Sequence, residues 1–318
     1  MHLRGKALAL AVWASSVMAM LAWTPAHAAD GKKRVQIKYA SQSASRSAVK
    51  SRAHRESDAL TVENLPDLKS AAALVIDFND GQTIFAKNTK IVTPIASITK
   101  LMTALVVLGA RQPLDEVLEI TAEDHEHGRG AYSRLAVGTR LSRGDLLHLA
   151  LMSSENRAAH VLARNYPGGL PVFVAAMNQR ARALDMRNAR FVDPTGLSSG
   201  NVASPADLSR LVIAASHEPM IQEYSTDEYH AVKVGRRVLE FRNTDLLVRN
   251  PAWNIIVQKT GYIAEAGKCL VMKTLIQGRS VIIVLLDSFG KYTRVADARR
   301  IRKWLEARPA ERAVPGAA

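Results

Sequence analysis

The residues 71–87, AAALVIDFNDGQTIFAK, decide how the folded part of the chain begins. An apolar run reaches Asp77, the turn residues Asn79, Asp80 and Gly81 follow, and a second extended run ends at Lys87. Two extended runs joined by a short Asn/Asp/Gly turn are typical of a β-hairpin. Similar apolar runs late in the chain predict further strands over 231–241, 255–260, 268–276 and 280–286.

Helical patterns occupy the middle of the chain and its end. The apolar spacing predicts a last helix over 292–307, with Val295, Ala298, Ile301 and Leu305 on one side. A hairpin first, helices next, and strands plus a helix last favour an α+β fold, in which an antiparallel sheet is completed late around a helical insertion. The other predicted helices are 97–109, 142–152, 156–165, 171–184 and 204–215.

The composition is that of an ordinary folded protein with an excess of positive charge. Of 318 residues, 47% are apolar and 23% charged, which excludes collagen, a coiled coil and wholesale disorder. The formal net charge of +14 favours attraction to polyanions but carries no information about the fold. Cys269 is the single cysteine, so an internal disulfide and a four-cysteine metal site are both excluded.

The first 64 residues are predicted to lie outside the folded domain. Residues 1–28 contain Arg4, Lys6, an apolar run and a final Ala-His-Ala, the pattern of a cleaved signal peptide. A retained membrane anchor is the alternative, although the apolar run of about 17 residues is marginal as a membrane span. Residues 29–64 form a basic, serine-rich arm with few large apolar groups, which predicts disorder. The domain is expected over 65–318, long enough for a substantial core.

The first chemical motif is Ser97-Ile98-Thr99-Lys100. On a helix that begins at Ser97, this spacing places the hydroxyl and the amine on one face. Lysine activates a serine only when it is neutral, and at a pKa near 10.4 about one lysine in 2,500 is neutral at pH 7. A pKa lower by about 3 makes roughly a quarter neutral at a cost of about 4 kcal/mol, which burial beside a second cation can impose. The structural alternative is that Ser97 caps the helix.

Two further motifs have residue types suited to proton transfer and carboxylate binding. Ser154-Glu155-Asn156 falls between two predicted helices, where a serine passes a proton and an asparagine orients an amide, or where Ser153 or Ser154 simply caps the next helix. Lys259-Thr260-Gly261 follows an apolar strand, where a cation and a hydroxyl can hold a carboxylate beside a glycine that permits close approach. The alternative is a strand end that runs into a turn.

The three motifs occur in this order at separations of 57 and 105 residues, and together they resemble the active-site set of penicillin-binding proteins and serine β-lactamases. The segments 97–104, 153–159, 191–197, 241–244 and 259–262 resemble the low-molecular-mass D-alanyl-D-alanine peptidases, particularly the endopeptidases of Gram-negative bacteria. The resemblance covers residues 65–308. Asp245 departs from it, because related enzymes often have asparagine there, and we assign Asp245 no role.

The resemblance implies a β-lactamase/transpeptidase-like fold, with an antiparallel sheet flanked by helices and a helical subdomain. It implies that Ser97 is the acylated nucleophile, Lys100 its base, and Ser154 the proton donor to the departing amine. Asn156 would align the acyl amide, and Lys259 and Thr260 would hold the substrate carboxylate. The backbone N–H groups of Ser97 and Tyr262, which follows Gly261 of the Lys-Thr-Gly motif, would form the oxyanion hole.

The implied substrate is the D-alanyl-meso-diaminopimelyl cross-link of peptidoglycan, hydrolysed in the periplasm after signal-peptide cleavage following Ala28. Penicillin would acylate Ser97 and remain there, and no metal or organic cofactor is implied. Residues 31–55 carry eight lysines and arginines and no acid. They are expected either to contact anionic envelope polymers or to be a solvated arm without a partner; nucleic acid is not an expected partner.

Several alternatives are open at the level of sequence. A D-alanyl-D-alanine carboxypeptidase shares all three motifs, but the 57 residues after Gly261 leave no room for the extra β-rich domain and anchor that many of these enzymes carry, which favours the endopeptidase. A class A β-lactamase needs a glutamate for deacylation, and none lies between Arg157 and His217. A non-catalytic wall-binding protein and a polyanion-binding module are the non-enzymatic alternatives.

Two smaller features are interpreted as structural. The segment 123–127, Glu-Asp-His-Glu-His, has metal-binding residue types without a defined ligand geometry, and we interpret it as a solvated turn. Cys269 lies in an apolar stretch and is interpreted as a small buried hydrophobe rather than a reactive thiol.

Overall fold

A five-stranded antiparallel sheet forms the centre of the computed structural model, which describes residues 65–124 and 133–308. The predicted first hairpin is confirmed, and its strand β1 pairs with the late strand β11, so Ala72 lies opposite Leu286. This pairing joins the two ends of the domain in one sheet, in the order β2-β1-β11-β10-β9. The strands are β1 Ser70–Asp77, β2 Thr83–Lys87, β9 Asn254–Ile263, β10 Gly267–Ile276 and β11 Arg279–Ser288.

The predicted helices are all present, with one addition. The additional helix is α6, which the sequence pattern missed because it is short and buries only Ile221 and Ser225. Its companion α5 begins with a complete capping box between Ser204 and Asp207. The helices are α1 Thr99–Gly109, α2 Arg143–Met152, α3 Asn156–Arg164, α4 Gly169–Ala183, α5 Pro205–Ala215, α6 Pro219–Thr226 and α7 Thr293–Glu306.

Within the described residues, three small two-stranded sheets accompany the helices. The single strand predicted over 231–241 is wrong, because Gly235 turns the chain with a positive φ of 58° and divides this stretch into a hairpin. This hairpin consists of β7 Tyr229–Val234 and β8 Arg237–Arg242. The other pairs are β3 Thr93–Pro94 with β6 Val202–Ala203, and β4 Val117–Glu119 with β5 Arg140–Ser142.

The central sheet is covered on both faces. Alternate residues of β11 enter different clusters: Ile283 and Leu285 pack with α7, whereas Val284 and Leu286 pack with the helices of the other layer. Burial on both faces explains why the central strands are continuously apolar. On α7, the predicted core face is confirmed, because Val295, Ala298, Ile301 and Leu305 are all buried. The α+β organisation is therefore confirmed.

The predicted signal peptide, residues 1–28, and the basic arm, residues 29–64, lie outside the described residues. Among the helices that are described, none combines the length and apolar character needed to cross a bilayer.

Candidate active site

Ser97 lies at the entrance of the first helix, half-buried, where the sheet meets the helical layer. It occupies a 3₁₀ turn, Ala96–Ile98, and α1 begins only at Thr99, so the predicted helix start at Ser97 is wrong by two residues. No side chain caps α1, which removes the alternative in which Ser97 serves as a cap. The Ser97 hydroxyl is therefore available for other contacts.

Two glycines from distant segments hold this turn. A Cβ atom at Gly196 would lie 1.9 Å from the carbonyl oxygen of Ala96, and one at Gly261 would lie 2.9 Å from that of Ile95. The same Cβ atom at Gly261 would lie 3.1 Å from the backbone nitrogen of Ser97. Ala96 itself has a φ of 47°, an uncommon value for a residue with a side chain. The turn is thus fixed from both sides by backbone that only glycine allows to approach.

Lys100 is fully buried beneath Ser97 and directs its amine toward oxygen atoms from three segments. Lys100 Nζ lies 3.0 Å from Ser97 Oγ, 2.7 Å from Asn156 Oδ1 and 2.7 Å from the carbonyl oxygen of Thr195. The predicted pairing of Ser97 with Lys100 on one face is therefore confirmed. The first contact has the geometry that proton transfer from the hydroxyl to the amine requires.

The Thr195 carbonyl was not identified from the sequence as part of the site. Its loop is organised by Asp193, whose Oδ1 accepts hydrogen bonds from the backbone of Thr195 and Gly196 at 2.6 and 2.7 Å. Asn201 links the loop to α1 by donating to Thr99 Oγ1 at 3.1 Å. The run Asp193-Pro-Thr-Gly has turn-forming composition, and this is the signal that could have shown a rigid loop here.

Ser154 and Asn156 come from the connection between α2 and α3. Ser153 ends α2, Glu155 precedes α3, and Ser154 between them has a φ of 62°. Neither serine caps α3, so the capping alternative is wrong. Asn156 is the first residue of α3, and its amide oxygen accepts a hydrogen bond from Lys100.

The third motif, Lys259-Thr260-Gly261, lies inside β9. The alternative, a strand end that runs into a turn, is therefore wrong. Lys259 and Thr260 are buried, and Thr260 Oγ1 is 2.6 Å from Thr244 Oγ1. Tyr262 exposes 60% of its surface. Because Gly261 touches the Ser97 turn, the following peptide of Tyr262 lies at the same edge as the nucleophile, where the oxyanion hole was predicted.

The electrostatics of the site are dominated by buried cations. Burial holds the pKa of Lys259 well below its usual value, and the positive charges of Lys100 and Arg294 act in the same direction. Asp245 opposes this effect, and burial in turn raises the pKa of the Asp245 carboxyl. The charge of Lys100 therefore favours the neutral form of the Lys259 amine.

Arg294 and Asp245 are neighbours of the site that sequence reasoning did not assign. Arg294, on α7, donates to the carbonyl oxygen of Gly261 at 3.2 Å. Asp245 is 1% exposed and accepts from the backbone of Leu247, while its second carboxylate oxygen has no partner among the described residues.

The two smaller sequence features are Cys269 and the segment 123–127, and only the first is fully as predicted. Burial raises the pKa of the Cys269 thiol to about 11, which confirms a buried, unreactive cysteine. The solvated turn predicted at 123–127 is wrong for Asp124, which is fully buried, and residues 125–127 lie outside the described residues. No cluster of three metal-ligating side chains occurs within 65–124 and 133–308.

Comparison with known proteins identifies relatives along most of the chain. Residues 59–290 match the D-alanyl-D-alanine carboxypeptidase family. A D-alanyl-D-alanine endopeptidase of Pseudomonas aeruginosa is 52% identical over 76% of this chain and 78% of its own length. The D-alanyl-D-alanine endopeptidase of Escherichia coli K12 is 47% identical over 78% and 81%. A D-alanyl-D-alanine carboxypeptidase of Salmonella typhimurium is only 28% identical, over 75% and 63%.

Solved structures confirm the predicted β-lactamase/transpeptidase-like fold. The Streptomyces K15 DD-transpeptidase superimposes with a TM-score of 0.70 at 25% identity, over 75% of this chain and 97% of that chain. A D-alanyl-D-alanine carboxypeptidase from Mycobacterium tuberculosis H37Rv gives a TM-score of 0.70 at 25% identity, over 77% and 94%. The sheet and the helical layer around Ser97 therefore have the architecture that the sequence motifs implied.

Proposed function

The chain belongs to the D-alanyl-D-alanine carboxypeptidase family and is a serine D-Ala-D-Ala peptidase of the penicillin-binding type, and we propose that it is an endopeptidase that hydrolyses D-alanyl-meso-diaminopimelyl cross-links. Family membership implies peptidoglycan peptides as substrates and β-lactam antibiotics as ligands. The observation that carries the catalytic part of the proposal is the 3.0 Å contact between Lys100 Nζ and Ser97 Oγ, formed by a buried lysine.

In the proposed reaction, Ser97 Oγ attacks the carbonyl carbon of the D-alanyl residue while its proton passes to Lys100 Nζ. The negative charge of the tetrahedral intermediate is held by the backbone N–H groups of Ser97 and Tyr262. The carbon–nitrogen bond then breaks, and the departing amine receives a proton through Ser154. Water hydrolyses the acyl-enzyme, which releases the peptide and restores the Ser97 hydroxyl.

The remaining residues of the site bind and orient the substrate. Asn156 aligns the acyl amide through its Nδ2 group, because its Oδ1 atom is already occupied by Lys100. Lys259 and Thr260 bind the carboxylate on the departing side, with Gly261 permitting the peptide to approach β9. The proposed reaction uses no metal and no organic cofactor.

Sequence identity favours the endopeptidase over the carboxypeptidase. The relatives at 47% and 52% identity are named endopeptidases and match along about four fifths of their length, whereas the Salmonella carboxypeptidase matches along 63% of its length. The carboxypeptidase remains the second candidate, because the family description carries that name.

Product analysis separates these two activities. Purified protein is incubated with a D,D-cross-linked muropeptide dimer and, separately, with a pentapeptide monomer, and the products are read by mass spectrometry. We expect the dimer to be split and the pentapeptide to keep its terminal D-alanine. The opposite pattern would establish the carboxypeptidase.

Benzylpenicillin-treated protein and the Ser97→Ala variant are the controls for this experiment. Both should leave the dimer intact, and benzylpenicillin should add its mass to the peptide that contains Ser97. Absence of both cleavage and adduct in the unmodified protein would reject the peptidase assignment of the three motifs.

We also propose that the protein acts in the periplasm, delivered by residues 1–28, and that residues 31–55 contact anionic envelope polymers. The support is the signal-peptide pattern and the uninterrupted positive charge of the arm. Cell fractionation tests the location. Deletion of 31–55 should leave cleavage of a soluble dimer unchanged and weaken retention on the isolated anionic polymer; unchanged retention would leave the arm without that role.

A further inference from the structure

A cavity of about 370 Å³ opens beside the second motif, between the α2–α3 connection and the end of β8. Its size is within the range of small-ligand sites. Phe241 and Glu155 are its buried members, Ser153 is half-buried, and three charged residues form its exposed rim. The lining residues are Arg134, Ser153, Glu155, Glu240, Phe241 and Arg242.

The cavity adjoins the catalytic residues through both of its walls. Ser153 and Glu155 are the immediate neighbours of Ser154 in the chain. On the other wall, the strand end continues from Arg242 to Thr244, whose hydroxyl is 2.6 Å from that of Thr260. The charge of Lys100 also acts on the Glu155 carboxyl, so the cavity lies beside the catalytic residues in space as well as in the chain.

Glu155 is the most unusual group in this cavity. It is only 8% exposed, and its Oε1 atom has no hydrogen-bond partner among the described residues. Burial raises the pKa of Glu155, although a hydrogen bond to Ser133 and the nearby charge of Lys100 partly oppose this effect. A buried carboxylate oxygen without a donor is costly, so the site gains from a ligand that brings an N–H donor, above all an ammonium group.

The charges around the cavity are of both signs and cancel. Glu155 and Glu240 supply two carboxylates, and Arg134 and Arg242 supply two guanidinium groups. Arg134 is held in place by a 2.7 Å hydrogen bond to the carbonyl oxygen of Glu240 and by its position 3.9 Å above the Phe241 ring. A balanced lining of this kind suits a ligand that carries both charges better than a simple anion or a simple cation.

We infer that this cavity binds the free end of a diaminopimelyl side chain, where one carbon carries both an ammonium group and a carboxylate. Glu155 accepts a hydrogen bond from the ammonium group, and Arg242 and Arg134 hold the carboxylate. The inference rests on the proposed function. In a D-alanyl-diaminopimelyl cross-link, the stem peptide that supplies the acyl group has this ammonium group and carboxylate free. In the departing stem peptide, the corresponding nitrogen belongs to the amide bond that is cleaved. The cavity therefore recognises the diaminopimelyl side chain of the acyl-donating stem peptide.

Three D,D-peptides that differ only in the donor side chain test this assignment. The first carries diaminopimelate, the second lysine, which lacks the carboxylate, and the third norleucine, which lacks both charges. For the unmodified protein, we expect kcat/KM to fall in this order, by roughly 10- to 100-fold between the first and the third. Equal values for the diaminopimelyl and lysyl peptides would overturn recognition of the carboxylate, and equal values for all three would overturn the whole inference.

Variants assign each charge to a residue. Glu155→Gln should lower kcat/KM for the diaminopimelyl and lysyl peptides by roughly 10-fold or more and leave the norleucyl peptide within about twofold. Arg242→Gln should remove the advantage of diaminopimelate over lysine. Glu306→Gln, a glutamate variant on α7, should leave the ranking unchanged. A fall that is equal for all three peptides in Glu155→Gln would show a merely structural role and overturn the assignment.

Benzylpenicillin separates this inference from the proposed function, because it lacks the diaminopimelyl side chain. Acylation of Ser97 by benzylpenicillin should proceed at the same rate in Glu155→Gln and in the unmodified protein. If Glu155→Gln is not acylated, its fold is disturbed, and the exposed rim variant Arg242→Gln then decides. Failure of the unmodified protein to cleave any peptide or to form the adduct rejects the proposed function, whereas adduct formation with indiscriminate cleavage rejects only the cavity.

Discussion

The two ends of α3 hold buried charged groups in opposite ways. At its first residue, Asn156 accepts a 2.7 Å hydrogen bond from the buried Lys100 in the catalytic site. Along the same face of α3, His160 and Arg164 contact the buried Asp124 at 2.8 and 2.9 Å. One helix therefore contacts a buried lysine at its first residue and, further along, a buried carboxylate that is bound by a histidine and an arginine.

The difference lies in the charge of the partners. Burial alone would raise the pKa of Asp124, but hydrogen bonds from His160 and Arg164 outweigh it and hold the pKa well below its usual range. In the catalytic site, burial lowers the pKa of Lys259 and the neighbouring charge of Lys100 lowers it further. Opposite charges around Asp124 favour its ionised carboxylate, whereas the like charge beside Lys259 disfavours the charged form of its amine.

The largest expected effect is on activity, from Lys100→Met. This substitution removes the base beside Ser97, and we expect acylation by benzylpenicillin to slow by about 10³-fold. The melting temperature should fall, because Asn156 Oδ1 and the Thr195 carbonyl oxygen lose their buried donor. Adduct formation followed by mass spectrometry, together with thermal unfolding, checks both parts. Acylation at the normal rate would show that another group is the base.

The next largest effect is on stability, from Asp124→Ala. Arg164 and His160 would lose their buried acceptor, so the free energy of unfolding should fall by about 3 kcal/mol or more. Since the pKa of Asp124 is lowered in the folded state, its contribution is present above about pH 4 and is lost as the pH falls further. Denaturant unfolding at pH 7 and pH 3 should show a smaller difference at the lower pH; a difference independent of pH would contradict this origin.

A smaller, pH-dependent effect is expected at His148, which stacks between Tyr224 and His230 with ring centroids 4.3 and 4.0 Å away. Burial lowers the pKa of His148 to about 4, helped by the charge of His230. The unfolded chain takes up a proton below about pH 6.5, so the stability due to neutral His148 is lost as the pH falls from about 6.5 through 4.

His148→Phe keeps a ring in the stack and removes the proton site. The free energy of unfolding of this variant should therefore decrease less between pH 7.5 and pH 4.5 than that of the unmodified protein. Denaturant midpoints at the two pH values measure the difference. Parallel decreases in both proteins would assign the acid sensitivity to other groups.

The smallest effect is expected for Glu306→Gln, which breaks the surface pair of Arg302 and Glu306 on α7. Their atoms are 2.7 Å apart and both side chains are partly exposed. Exposed pairs at this spacing contribute about 0.5 kcal/mol or less. Chemical unfolding should detect little change in stability. If Glu306→Gln lost as much stability as Asp124→Ala, burial would not explain the difference between the exposed pair and the buried contacts of Asp124.

The sequence patterns did not predict α6, the β7–β8 hairpin or the burial of Asp124. The short α6 has too few buried residues to give a periodic pattern. The prediction of a single strand over 231–241 rests on the apolar content of this stretch and leaves out the turn at Gly235. Asp124 lies in a polar run, and its partners His160 and Arg164 follow 36 and 40 residues later, beyond the reach of a local pattern.

By itself, the sequence determined the local elements and the chemical types at the site. Alternating and helical apolar patterns predicted most strands and helices, and Ser97 and Lys100 are close in the chain, so their contact follows from one turn of backbone. Only the tertiary structure decided the surroundings of Lys100, because Asn156 and Thr195 arrive from 56 and 95 residues away. Their approach depends on long-range packing and on glycines that allow backbone contact, and no local pattern encodes which distant segments will meet.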